Sequence, residues 1–129
     1  MRIICCLLFA LLQLSFVTED CGLKTEGIYT ASVDAETDAH IRFYPDGIVI
    51  VSTSVKEFKD VKSWFNKENV DRILTGKYKN KKGKVKFTVK GDTGEQKFEG
   101  VVDCDVARVT ITDIKSKAST HRIYKFISL

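Results

Sequence analysis

The chain has 129 residues, 43% of them hydrophobic, with 21 basic and 17 acidic side chains and a net charge of +4. That is one domain's length and enough apolar material for a small core, which excludes a disordered chain and a multidomain one. The charge is too modest to imply a nucleic-acid binder by itself.

Met1-Arg2 is a minimal positive start, and Ile3 to Leu14 is almost wholly apolar. This run is shorter than the roughly 20 residues a bilayer span needs. It fits the apolar region of a secretory signal peptide, with cleavage expected between Ser15 and Asp20. The expectation is a signal at 1–20, a mature domain at 21–129 that is secreted, and no membrane span once the signal is gone. Cys5 and Cys6 would leave with the signal. Cys21 and Cys104 would then remain as a pair in an oxidising compartment, where a disulfide is the expected fate and two free thiols the alternative.

Gly27 to Ser32 reads as the first strand, and Val33 to Ala39 as an acidic loop. His40 to Tyr44 alternates apolar residues at Ile41 and Phe43, a second strand. Pro45-Asp46-Gly47 is a turn in which Pro presets φ, Asp accepts a local hydrogen bond and Gly takes positive φ. Ile48 to Thr53 is rich in β-branched residues and predicts a strand covered on both faces. The period then changes. Ser54-Val55-Lys56-Glu57 matches a capping box, and Phe58, Val61, Trp64 and Phe65 recur at helical spacing. The pattern predicts one short amphipathic helix over about residues 55–65, acting as a lid on one mouth of the fold.

From Ile73 the strand period returns. Ile73 to Lys79 and Lys84 to Lys90 make a hairpin through a polar turn at Asn80 to Gly83. Val85, Phe87 and Val89 face one side, and Lys84, Lys86 and Lys90 the other. Glu95 to Asp103, Ala107 to Ile114 and His121 to Leu129 complete eight strands. Tight connections make them neighbours in an all-β antiparallel meander. Closing it into an eight-stranded barrel removes both exposed edges; an open, curled sheet around the helix is the alternative.

Gly27-Ile28-Tyr29, Gly76-Lys77-Tyr78, Phe98-Glu99-Gly100 and Tyr124-Lys125-Phe126 resemble the recurring pattern of small secreted lipocalin-like (calycin-like) β-barrel proteins. The chain is shorter than true lipocalins, its helix follows the third strand, not the eighth, and Tyr29 stands where tryptophan is usual. The resemblance implies a non-catalytic binder of a small apolar molecule or of a protein.

Candidate chemistry is sparse. Asp34, Glu36, Asp38 and His40 alternate, but no glycine shapes a cation loop, so a solvated loop is the expectation. His40 and His121 have no partner that sequence can place, and Ser52, Ser54 and Ser63 lie in no nucleophile elbow. No enzyme, metal or cofactor is expected. Two binding readings remain. In the first, a small hydrophobic ligand lies between helix and barrel against Phe58, Trp64, Tyr78, Phe87 and Tyr124. In the second, the barrel is filled and acts through its surface as an inhibitor or a polyanion binder. Lys77, Lys79, Lys84 and Lys86 would then share one outer face and meet an anionic surface or a protein. That face carries no aromatic platform for bases, so sequence-specific nucleic acid is not an expected partner.

Overall fold

In the computed structural model, residues 22–56, 61–69, 73–92 and 94–129 are described. The expected signal peptide, Cys21 and Phe58 lie outside them. The strands are β1 (Gly27–Ser32), β2 (Thr37–Phe43), β3 (Ile48–Val55), β4 (Leu74–Lys81), β5 (Lys84–Gly91), β6 (Gly94–Asp103), β7 (Val106–Asp113) and β8 (Ser119–Ser128). Each pairs antiparallel with the next, and β8 returns to β1 through Tyr29↔Phe126, closing the barrel.

The turns follow from their residues. Lys82 and Gly83 both take positive φ (52° and 86°), the two-residue hairpin geometry whose twist matches the flanking strands. Asn80 secures it by accepting from the Gly83 amide at 3.0 Å. At the Pro45 turn Gly47 has φ 90°, and Asp46 accepts from the Ile48 amide at 3.1 Å.

Alternation divides the wall. Tyr29, Ile41, Phe43, Val49, Phe87, Phe98 and Tyr124 point inward and are buried. One half of the interior is filled by rings in series. Phe43 meets Tyr29, Tyr78 and Phe87 edge-on at 5.7, 5.0 and 5.6 Å, and Phe87 stacks on Phe98 at 4.7 Å. Residues 22–26 cover this end. Leu23 packs on the core, and Tyr29 Oη accepts from the Lys24 amide at 3.0 Å while donating to the Cys104 carbonyl at 3.3 Å. Gly76 and Gly100 let the backbones converge: a Cβ at Gly76 would lie 1.9 Å from the Thr88 carbonyl oxygen, and one at Gly100 2.1 Å from that of Arg108.

The expected short helix is found between β3 and β4, but its start and the surface it covers differ. β3 runs on through Val55, and the helix described is α1 (Val61–Trp64). Ser54 is a strand residue whose hydroxyl meets His40 Nε2 at 2.7 Å, so it does not serve as a helix cap. Nor does α1 lie over a mouth. Its apolar side, with Phe65, packs on the outer wall against Ile28, Ile50 and Ile73. The reason lies in β3, which is apolar on both faces. Val49 and Val51 fill the barrel, while Ile50, fully buried, needs cover from outside. The second strand is also longer than expected, because Thr37 and Ala39 continue the inward row of Ile41 and Phe43.

Two seams are short. β3 meets β4 only from Ile48↔Lys77 to Val51↔Leu74, and β1 meets β8 only from Gly27↔Ser128 to Thr30↔Lys125. Beyond them the wall parts toward the end opposite the aromatic fill.

Candidate functional site

That end is open. Small inward residues, Ala31, Ala39 and Val51, replace the rings there, and the space left is a cup of about 590 Å³. Ala39, Val51, Leu74 and Phe98 give it apolar walls. Gln96, Arg122 and Tyr124 supply polar groups. On β8 the inward row is Arg122, Tyr124, Phe126, so a guanidinium enters the cup one step above a phenol. Arg122 Nη1 donates to Tyr124 Oη at 3.3 Å. Burial pushes the Tyr124 phenol up from its usual pKa, with Arg122 opposing, so it stays neutral at physiological pH.

Arg122 has no carboxylate within ion-pair distance among the described residues, whose pairs are Lys24–Asp105, Lys56–Asp38, Lys67–Asp46, Lys86–Glu99 and Lys97–Glu99. A half-buried guanidinium beside apolar walls favours an anionic partner, and its planar fork suits a carboxylate or phosphate.

The residues singled out from sequence are dispersed. Tyr124 lines the cup. Phe87 lies in the ring series below it. Tyr78 is in the filled half, donating to the Tyr44 carbonyl at 2.6 Å. Trp64 is on the outer wall with α1, and Phe58 lies outside the described residues. Tyr78 and Phe87 are thus brought together around Phe43, and Trp64 is not. The reading from sequence followed aromatic residues and passed over Arg122, Gln96 and Leu74. The signal for Arg122 was present, since Tyr124 and Phe126 facing inward place residue 122 on the same side.

The lysines lie on one outer face, with Lys79↔Lys86 and Lys81↔Lys84 directly opposed and Lys77 opposite Thr88. Lys86 also faces Glu99 at 3.7 Å, and Glu99 is held below the usual carboxylate range first by Lys97, 2.9 Å away. The positive stripe therefore meets an acidic side chain at β6. Asp34 accepts from the Glu36 amide at 2.8 Å in its own turn, and Asp38 pairs with Lys56 at 3.3 Å. Among the described residues no His, Cys, Asp and Glu cluster has the arrangement of a metal site, and no helix is long and apolar enough to cross a membrane.

The architecture is a closed eight-stranded antiparallel meander barrel, with one end filled and one end open. No known protein family, curated protein or solved structure matches the chain.

Proposed function

We propose that the protein is a secreted, lipocalin-like binder whose open cup holds one small amphipathic molecule, its apolar body against Val51, Leu74 and Phe98 and an anionic head on Arg122. One observation carries this reading: a guanidinium without an acidic partner among the described residues stands in a cup of about 590 Å³, inside the roughly 300–1,000 Å³ range of ligand pockets. The space between α1 and the wall is about 230 Å³, below that range, so the cup is the better place for the ligand.

Export fits a disulfide between Cys21 and Cys104. Lys24 pairs with Asp105 and lies under the Cys104 turn through Tyr29. It lies three positions along the chain from Cys21, a reach of about 10 Å. The test of the whole reading is native mass spectrometry of protein recovered from the medium of its source. A mass excess of one amphiphile, released by organic extraction and carrying an acidic group, is the expected result. Protein recovered without any bound amphiphile, and taking up none of a panel of fatty acids, would overturn it.

A second reading rests on the opposed lysine pairs. Like charges placed directly across a ladder cost stability, and a bound polyanion would relieve that cost. Elution from heparin at higher salt than from a sulfonate exchanger of equal charge density supports it; identical elution refutes it.

A further inference from the structure

A further space lies outside the barrel, between α1 and the outer faces of β1, β2, β3 and β8. It has a volume of about 230 Å³, with Ile28, Val61 and Ile127 among its apolar walls and Lys62 beside them. His40 and Ser54 border it. Both also border the cup that holds Arg122.

Their geometry is that of a base and a nucleophile. His40 is 4% exposed. Its Nε2 lies 2.7 Å from Ser54 Oγ, and its Nδ1 lies 3.0 Å from Thr30 Oγ1. The register explains the convergence. Thr30 stands directly opposite His40 on β1↔β2, and Ser54 stands one diagonal step away on β3, opposite Asp38. All three side chains point outward on adjacent strands. In the tautomer with the proton on Nδ1, the Thr30 hydroxyl accepts it and Nε2 is left unprotonated toward Ser54. Phe65 fixes the other side of the imidazole, ring to ring at 5.7 Å. Burial holds His40 below its usual pKa, with Asp38 opposing, so the ring is a free base at neutral pH. His121 makes a useful contrast. It too has a threonine on Nδ1, Thr110 at 2.9 Å, but it is exposed, and no serine among the described residues meets its other nitrogen.

We propose that Ser54 is a histidine-activated nucleophile that takes the acyl group of small apolar esters in the space under α1. A nucleophile, a base within hydrogen-bond reach and a third group orienting the base are the parts acyl transfer requires. Ser54 Oγ attacks the ester carbonyl carbon as its proton passes to His40 Nε2. The alcohol leaves with that proton, and the acyl group remains on Ser54. Water, giving a proton to the same nitrogen, then cleaves the new ester. The carboxylic acid departs and the proton returns to Ser54 Oγ. The apolar walls take the acyl chain, and the Lys62 ammonium is the cation at hand for charge developing on the carbonyl oxygen.

The test uses the full mature chain and an alkyl fluorophosphonate. Serine attack forms a P–O bond and expels fluoride, leaving a stable adduct that peptide mass spectrometry can locate. The expected result is one adduct, on Ser54, in the unaltered protein. His40→Gln slows its formation about 100-fold, the scale of general-base assistance, while His121→Gln leaves the rate unchanged. Hydrolysis of p-nitrophenyl acetate follows the same order and is lost in S54A. No adduct, an adduct on another residue, or equal labelling of Ser54 in His40→Gln would each overturn the proposal. Locating the adduct in the unaltered protein keeps the test decisive even where a variant fails to fold.

Discussion

Arg122 Nη1 reaches Tyr124 Oη at 3.3 Å across the inward face of β8, and this contact places the cation at the boundary between the open cup and the filled half of the barrel. Tyr124 is 1% exposed, so the phenol forms a floor, and Arg122 borders the space above it. Arg122→Leu should weaken binding of a fatty acid about tenfold or more, the loss of a charge-assisted hydrogen bond of about 1.5–3 kcal/mol. Binding of the corresponding alcohol should change little. Isothermal titration of both ligands checks this, and an equal loss for both would remove Arg122 from the site.

The filled half should carry stability and not binding. Phe87 touches Phe43 edge-on and stacks on Phe98 with an interplanar angle of 12°. Phe87→Ala should cost about 3–5 kcal/mol in urea unfolding. Gly76→Ala should also destabilise, by about 1–3 kcal/mol, because its Cβ would meet backbone, which yields less readily than a flexible side chain.

Much of this was legible in the chain itself. Lys84 to Lys90 alternates so regularly that its two faces could be assigned residue by residue, and the Pro45 and Gly83 turns announce themselves by composition. The start of β2 was hidden because Thr37 and Ala39 are small inward residues among acids, a weak apolar signal. The helix was overextended because Ser54 and Val55 satisfy a capping pattern and a strand pattern alike. The register with β2 decides between them, and register is a long-range property. Arg122 was hidden for a different reason. A charged residue at an inward position breaks the apolar pattern that identifies that face. The approach of His40 to Ser54 is a diagonal across two strands, which no spacing within one segment can reveal.

Acid should weaken the fold through His40. Its folded pKa is depressed by burial, so below the unfolded value of about 6.5 the unfolded chain binds a proton that the folded chain refuses. Stability therefore falls as pH drops from about 6.5 toward the folded pKa, and is regained on returning to neutral. Asp38 on the same strand opposes the shift, while Lys56, paired with Asp38, and Lys62 across the space add positive charge. Urea midpoints measured between pH 5 and pH 7 should rise with pH in the unaltered protein and flatten over that window in His40→Gln.

The outer lysines give an opposite signature. Lys79 faces Lys86 directly, so Lys79→Glu should stabilise by at most about 1 kcal/mol at low salt, with the gain fading as salt screens the pair. Melting temperatures at 10 and 500 mM salt test it, and a gain that survives high salt would point to packing as the cause.

The central claim is that the open end of the barrel holds an amphipathic anion. The most direct measurement is a titration of isotope-labelled mature protein with laurate, followed by two-dimensional amide NMR. Saturable shifts are expected at Ala39, Val51, Leu74, Phe98 and Arg122, with one laurate per chain. Shifts confined to Val61–Trp64 or to the lysines of β4 and β5, or no saturable shift at all, would contradict it.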